Sequence, residues 1–227
     1  MVLCIECGSS ANEDIYKEFS PQIIKLTNCI HCDQYVDKYI EYDTTIIFLD
    51  VVLFKIQAYR HILFNSTFIN YWKLSIFILL SEAFIKYINK KDFAFYSNPE
   101  KIDFNLDMNF YLCFLDVITD FILYLLAIYI FINIYKSLIN TNMISIIDLF
   151  KTLTLSSYGK LFSILTLPWV GIQNSMHIYL VHILVFASNS LGIYVRYNIP
   201  MWLTILYVSL SFYLINYIDK LSLFSSL

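Results

Sequence analysis

Long apolar stretches separated by short polar breaks fill most of the chain after residue 45. The clearest stretch is Ile199–Ile218, which has 20 residues without a formal charge and is followed directly by Asp219. Residues 110–135 form another stretch with few charges. A helix needs about 20 apolar residues to cross the hydrocarbon core of a bilayer. Both stretches are therefore predicted to span a membrane.

A longer apolar stretch, Leu161–Val195, runs for 35 residues without Asp, Glu, Lys or Arg. This length exceeds one span and is short for two spans with a turn. Pro168, Gly171 and the polar residues that follow them interrupt it. We therefore predict a short or re-entrant helix, a turn, and then a span over Met176–Val195. Residues 143–160 are more polar, and we predict an amphipathic surface helix or a loop there.

Residues 46–64 are apolar with a polar stripe. If the segment is one helix, Asp50, Gln57 and His61 fall on the same face, with Arg60 beside them. Two structures would suit this pattern. The helix could lie in the plane of the lipid headgroups, with its polar face toward water. Alternatively, it could span the membrane and turn the stripe toward other helices. The pattern favours the first.

Two further segments complete the membrane part. Residues 68–88 are apolar enough to be predicted as a span, and residues 89–109 are predicted to form a polar, solvent-exposed loop. The predicted order of domains is a head over residues 1–45, helices that lead into the membrane over 46–88, the loop, and transmembrane helices over 110–220. The predicted fold class is a mainly α, polytopic helical bundle with a small β head.

Composition agrees with a membrane protein. Hydrophobic residues make up 59% of the chain and charged residues only 15%, against about 45–50% and 25% in soluble domains. The net charge of −3 argues against a nucleic-acid-binding protein, because such proteins need an excess of Lys and Arg to neutralise phosphates. With only four glycines, the chain also lacks the glycine-rich motifs that hold phosphates in nucleotide-binding proteins.

Four of the five cysteines lie in the head as two Cys-x2-Cys pairs, formed by Cys4 with Cys7 and Cys29 with Cys32. Each pair can direct two sulfurs toward one point, and two pairs complete a tetrahedral Cys4 zinc site. The spacing therefore predicts a structural zinc ion and a zinc-ribbon-like β head. Two disulfides or a redox dithiol are the alternative. His31 lies between the last two cysteines, but four thiolates already fill the coordination shell.

The location of the head follows from its cysteines. A thiolate site needs a reducing compartment, so we expect the head in the cytosol. The first residues, Met1–Glu6, have neither the basic nor the apolar region of a secretory signal peptide. We therefore expect a multi-pass membrane protein that is inserted through its internal spans.

Two sequence blocks follow the cysteine pairs, at Val36–Asp43 and Gln57–Asn65. The cysteines and these blocks, in this order, resemble the Arv family of endoplasmic-reticulum membrane proteins. The resemblance covers residues 3–88 and implies intracellular sterol transport and sterol and sphingolipid homeostasis, without enzymatic activity. It carries over only the four cysteines, as metal ligands. The implied partners are membrane lipids, sterol among them.

Two other functions stay open. The family is also tied to the synthesis of glycosylphosphatidylinositol anchors, so the protein could be a scaffold subunit or lipid-handling partner of those enzymes. Asp116 and Asp120, one helical turn apart, could serve a membrane transferase, or they could lie at the interfacial end of a helix. Because such transferases need further aspartates at fixed spacings, the second interpretation of this pair is favoured.

Overall fold

The computed structural model describes residues 2–11, 14–20, 23–66, 70–97, 106–170 and 175–225. The chain divides into two compact units. Unit 1 comprises Met1–Ile69 with Leu191–Ile199, and unit 2 comprises Asn70–Ser190 with Pro200–Leu227. The fold is mainly helical with a small N-terminal β region, which confirms the predicted fold class.

Two short antiparallel hairpins build the β region of unit 1. Strand β1 (Val2–Leu3) pairs with β2 (Ser10–Ala11), and β3 (Tyr16–Ser20) pairs with β4 (Ile23–Leu26). The first cysteine pair follows β1 directly, and the second begins three residues after the end of β4. Buried Cys4, Cys29 and Val36 form the core of the head. A core this small supplies little stability alone, so bound metal is expected to contribute much of the folding free energy.

Residues 44–65 do not form the single helix assumed from the sequence. Helix α1 (Thr44–Val52) ends before Phe54, which has a φ of +59°, and α2 (Ile56–Arg60) runs into a π-helical turn over His61–Asn65. A non-glycine residue in this left-handed region interrupts a helix.

Side-chain contacts of Asp50 accompany this break. Its buried carboxylate binds Lys55 Nζ at 2.8 Å and accepts a hydrogen bond from the Tyr39 hydroxyl at 2.8 Å. The hydrogen bond from Lys55 holds the pKa of Asp50 below its usual value. The carboxylate therefore joins both sides of the break to the short 3-10 helix Lys38–Glu41.

Six helices follow. They are α3 (Tyr71–Ser97), α4 (Leu106–Leu138), α5 (Ile146–Ser156), α6 (Lys160–Val170), α7 (Ser175–Tyr197) and α8 (Met201–Ser225). Within the described residues, three segments are long and apolar enough to cross a membrane: Met108–Leu138, Tyr179–Tyr197 and Met201–Ile218. These correspond to three of the predicted spans. Helix α5 exposes Ile146 and Ile147 at its start but buries every residue from Thr152 to Ser156. A helix is therefore present in the predicted segment 143–160, but its second half is buried on all sides and is not an amphipathic surface helix.

Helix α3 differs from the prediction in two ways. It is not among the three candidate spans, and it continues through Ser97 into the predicted polar loop. Helix α4 begins at Leu106, so helix occupies both ends of residues 89–109, and residues 98–105 lie outside the described part. The charged residues that interrupt the apolar stretch of α3 form ion pairs within unit 2. Glu82 binds Lys160 at 2.6 Å, and Lys86 binds Asp120 at 3.2 Å.

Candidate metal centre

The first Cys-x2-Cys pair lies in a tight turn over residues 4–9, here called the first knuckle. The Cys4 N–H donates to the Ser9 carbonyl and the Gly8 N–H donates to the Cys4 carbonyl, both at 2.9 Å. Gly8 has a φ of +78°, a conformation that glycine adopts without steric cost. This turn brings the sulfurs of Cys4 and Cys7 to the same side of the backbone.

The second pair repeats this turn over residues 29–34, the second knuckle. The Cys29 N–H donates to the Gln34 carbonyl at 2.7 Å, and the Asp33 N–H donates to the Cys29 carbonyl at 2.8 Å. Asp33 takes the place of the glycine and has a φ of +60°. Aspartate is among the few other residues that tolerate this region, since its short side chain can hydrogen-bond locally.

The two knuckles bring all four sulfurs together. Cys4 Sγ lies 3.7 Å from Cys32 Sγ, and Cys7 Sγ lies 3.7 Å from Cys29 Sγ. All four sulfurs are within 4.8 Å of one another. A tetrahedron with metal–sulfur bonds of about 2.3 Å has sulfur–sulfur edges of about 3.8 Å, so the cluster has the size that a tetrahedral ion requires. The four predicted ligands therefore fit a metal ion. The exposed His31 is not part of the cluster.

Backbone N–H groups also point at the sulfurs. Cys4 Sγ accepts hydrogen bonds from the N–H groups of Glu6 and Cys7, and Cys29 Sγ accepts them from His31 and Cys32. The His31 N–H lowers the pKa of Cys29 to about 6, whereas burial raises the pKa of Cys4 to about 12. Thiolates must form before a metal binds, so metal binding at this cluster releases protons.

The Ser9 hydroxyl is a further polar group at the cluster. Its oxygen lies 2.9 Å from Cys7 Sγ and 3.7 Å from Cys29 Sγ. A hydroxyl that donates to thiolate sulfur disperses negative charge, and groups around the ligands of a metal tune its affinity. The sequence indicates only that Ser9 follows the turn glycine; its contact with both pairs needs the folded head.

Arg60 attaches the first knuckle to the π-helical turn. Its Nη1 donates to the carbonyl oxygens of Ile5 and Glu6, at 2.8 and 2.6 Å. A Cβ added at Gly8 would lie 3.0 Å from Arg60 Nη2, so a larger residue here would require a small shift of the guanidinium in addition to the positive φ. Gln57 Nε2 donates to Glu6 Oε2 at 3.0 Å. This hydrogen bond from Gln57, and next the Lys38 ammonium, lower the pKa of Glu6.

Asp37 is the centre of a second group of contacts. It is fully buried, and its Oδ1 accepts the Tyr39 N–H at 3.0 Å. Its Oδ2 lies 2.7 Å from His61 Nδ1 and accepts a hydrogen bond from Asn65 Nδ2 at 2.7 Å. A buried carboxylate needs such partners because desolvation of its charge is costly. Asp37 thus joins the two sequence blocks that follow the cysteines.

Asn65 completes the connection to the strands of the head. Its Oδ1 accepts the Leu3 N–H at 2.9 Å, and its Nδ2 donates to the Leu3 carbonyl at 2.8 Å. The amide side chain therefore bonds Leu3 as a neighbouring strand would. The next residue after Leu3 is the first cysteine of the cluster.

The polar stripe predicted on residues 46–64 has partners within its own unit. Gln57, Arg60 and His61 contact the head of the same unit. Whether this segment lies in the headgroup plane or spans the membrane stays a prediction. The sequence pattern identified the polar residues of the stripe, but their partners lie 24–55 residues earlier in the chain. Helical periodicity cannot predict contacts between residues that are so far apart in sequence.

Asp116 and Asp120 form ion pairs with helix α3. Lys90 Nζ lies 3.3 Å from Asp116 Oδ2, and Lys86 Nζ lies 3.2 Å from Asp120 Oδ2. These pairs suit a role in holding α3 against α4. The sequence favoured another interpretation over a transferase site, namely that the two carboxylates lie at the interfacial end of a helix.

Known proteins identify the family. A model described as the Arv1-like family matches residues 3–193. Protein ARV1 of Homo sapiens is 36% identical over 206 residues, which are 90% of this chain and 76% of the human protein. The protein named arv1 homolog of Dictyostelium discoideum is 37% identical over 186 residues, 74% of each chain.

A Candida albicans protein ARV1 is 47% identical over a shorter region of 66 residues, which is 29% of this chain and 22% of that protein. No solved structure matches the chain. The family match extends well past residue 88, where the resemblance seen in the sequence ended, and this chain belongs to the Arv1-like family.

Proposed function

We propose that this protein is a non-enzymatic, multi-pass protein of the endoplasmic-reticulum membrane that acts in intracellular sterol transport and in sterol and sphingolipid homeostasis. In this proposal the head lies in the cytosol and binds one structural Zn²⁺ through Cys4, Cys7, Cys29 and Cys32. Four sulfur ligands leave no coordination position for a substrate, which is the pattern of a structural zinc site. The ion would stabilise the head rather than catalyse a reaction.

The observation that carries the proposal is an apolar surface on unit 1, formed by Ile46, Leu49, Leu53 and Phe54. The first three lie at helical spacing on one side of α1 and its end. Leu49 is 54% exposed and Leu53 is 65% exposed. Exposed apolar side chains grouped in this way are typical of surfaces that bind lipid or protein. In a chain with three candidate spans, we assign this surface to the lipid bilayer.

The contacts of the head explain how this apolar surface could be held in place. The polar side chains of residues 57–65 are used by the first knuckle and by Asp37. Asp50 fixes the end of α1 through Lys55 and Tyr39. The metal-stabilised head therefore supports a short helix whose apolar residues remain available to lipid. In this mechanism the head positions α1, and α1 enters the surface of an apposed membrane to promote exchange of lipid.

Reconstitution tests this function. Purified full-length protein is placed in donor liposomes containing a fluorescent sterol, and transfer to acceptor liposomes is followed. We expect the protein to accelerate transfer and the double variant L49E/L53E to lose at least tenfold of the acceleration. Burial of one leucine contributes about 1.5–3 kcal/mol, and 1.4 kcal/mol corresponds to tenfold.

The control for this assay is I30E. Ile30 is 76% exposed at the tip of the second knuckle, so the same change in charge is made outside the α1 surface. Normal transfer by I30E together with loss in L49E/L53E supports the proposal. No acceleration by the wild-type protein, or equal loss in both variants, would contradict it.

A scaffold subunit for glycosylphosphatidylinositol-anchor synthesis is the second candidate function. The exposed side chains of Ile30 and Tyr35, at and just beyond the second knuckle, favour it, because apolar side chains on a rigid turn suit contact with another protein. Affinity purification from membranes separates the two candidates. A stoichiometric enzyme complex that is lost in I30E, with sterol transfer absent, would favour the scaffold.

A further inference from the structure

Unit 2 contains a cavity of about 730 Å³ between its helices. This volume lies within the range of about 300–1,000 Å³ that is typical of small-molecule sites. Apolar and aromatic side chains provide much of its wall, including Phe121, Phe186 and Phe212 with Ile183 and Ile215. They lie on α4, α7 and α8, the three helices that contain the candidate spans. A ligand in this cavity would therefore be largely apolar.

One part of the cavity wall consists of buried polar side chains that hydrogen-bond to one another. Asn189 Nδ2 donates to the Tyr124 hydroxyl oxygen at 2.9 Å. Asn189 Oδ1 accepts hydrogen bonds from Ser156 Oγ at 2.5 Å and, more weakly, from Ser157 Oγ at 3.4 Å. Asn189 and Ser157 are 1% and 2% exposed. Tyr124, Ser157 and Asn189 all line the cavity, and only a small part of their surface faces it, so these polar groups are shielded from bulk water.

The Tyr124 hydroxyl has unused hydrogen-bonding capacity. Its oxygen accepts from Asn189, but among the described residues its own proton meets no acceptor. Tyr124 is only 6% exposed. A buried donor without an acceptor is unfavourable by about 1–3 kcal/mol. A ligand oxygen at this position would remove that cost, and the Ser157 oxygen could accept a proton from the same ligand group.

The charges around the cavity limit the chemistry of the ligand. Two carboxylates, of Glu82 and Asp120, line it together with one ammonium group, that of Lys160. The ammonium is already bound to Glu82 at 2.6 Å. The second carboxylate, that of Asp120, is also paired, since Lys86 Nζ lies 3.2 Å from it. A lipid phosphate would therefore find no Lys or Arg left for it among the lining residues, and its charge would be desolvated without a partner. An uncharged polar group avoids this cost.

From these observations we propose that the cavity binds an uncharged lipid whose polar end is a hydroxyl group, held by the Tyr124 hydroxyl, Asn189 and Ser157. Sterols and ceramides both have this chemistry. The proposal deepens the proposed lipid function, on which it rests, by giving the lipid a binding site in unit 2. It is separate from the α1 surface, which contacts the bilayer.

Photolabelling of the full-length protein in detergent micelles tests the site. Three probes carry the same photoreactive group: a sterol, a ceramide and a phosphatidylserine. We expect the sterol, the ceramide or both to label peptides that line the cavity on α4, α7 and α8. Y124F should reduce this labelling about 3- to 10-fold, the effect expected for one lost hydrogen bond. Y207F is the matched control, since Tyr207 stacks on Phe131 outside the cavity lining.

A second pair of variants blocks the cavity. S209W places a large side chain at an exposed position of the lining, and L210W makes a similar addition at the neighbouring exposed residue, which does not line the cavity. We expect S209W to lose labelling and L210W to retain it. Labelling that neither Y124F nor S209W reduces, or labelling by phosphatidylserine as strong as by the hydroxyl lipids, would overturn the site.

The two proposals can fail separately. Sterol transfer that persists in Y124F and S209W, without labelling of the cavity, would leave the proposed function standing and remove this site. Specific labelling of the cavity in a protein that does not accelerate transfer would support the site and contradict the transport function.

Discussion

The two knuckles of the head have the same backbone turn but different surroundings. In the first, Arg60 binds two carbonyl oxygens of the turn and lies against Gly8. In the second, Ile30 is 76% exposed and Asp33 occupies the glycine position. Metal ligation therefore depends on local turns that both knuckles share. Arg60 adds to the first knuckle a contact with α2, and the turn of this knuckle must accommodate the arginine.

Loss of one cysteine ligand is expected to have the largest effect. It should destabilise both knuckles equally, because both depend on the same bound ion. C29S should release the metal and unfold the head, because structural zinc contributes about 10–16 kcal/mol in small domains. Metal content of the purified protein and protease resistance of residues 1–66 measure this. C113S is the control, because Cys113 is buried in α4, away from the cluster. Retention of stoichiometric metal in C29S would contradict the proposed site.

Removal of Arg60 should affect one knuckle and not the other. R60A eliminates the hydrogen bonds to the Ile5 and Glu6 carbonyls, each charge-assisted, and we expect a loss of about 2–3 kcal/mol in local stability. Hydrogen exchange should accelerate over residues 4–9 more than over residues 29–34. K25A, at an exposed strand position, is the control. Equal acceleration in both knuckles would show that Arg60 acts on the whole head.

A methyl group at the glycine position gives a smaller effect of the same kind. G8A must adopt a left-handed conformation, at about 1–2 kcal/mol, and must displace Arg60. We expect the head to unfold at a lower chelator concentration and the exchange pattern of R60A to appear in part. G8A in an R60A background should cost less than in the wild type. Additive effects of the two changes would rule out their contact.

The corresponding change in the second knuckle should have almost no effect on the stability of the head. D33G relieves the left-handed strain of an aspartate but increases the freedom of the unfolded chain, so the net change is expected within about 0.5 kcal/mol. The chelator concentration at which the head unfolds is again the measurement. A loss as large as that of G8A would mean that the Asp33 side chain has a role that its contacts do not explain.

The sequence predicted what depends on short spacing or on hydrophobicity. The four cysteines form the expected cluster because two residues between paired cysteines suffice to define each knuckle. Residues 110–135 lie within α4, and residues 201–218 of the predicted span 199–218 lie within α8, because about 20 apolar residues favour that outcome in themselves. These features require no knowledge of distant partners.

Features that depend on distant partners were missed. The break at Phe54 is accompanied by the Asp50 contact with Tyr39, and the destination of the polar stripe depends on Asp37 and the first knuckle. The extension of α3 through Ser97 runs into residues whose polarity alone indicated a loop. The sequence shows which residues are polar, but only the fold determines which group forms a hydrogen bond or ion pair with each of them.

The hydrogen bonds between Asn65 and Leu3 also close the outer edge of strand β1. The strand pairs with β2 along one side, and the Asn65 amide bonds the Leu3 N–H and carbonyl on the other. An open strand edge can recruit the edge of another copy and begin aggregation. Because a side chain of the same polypeptide occupies this edge, Leu3 does not offer its backbone groups to a strand of a second copy.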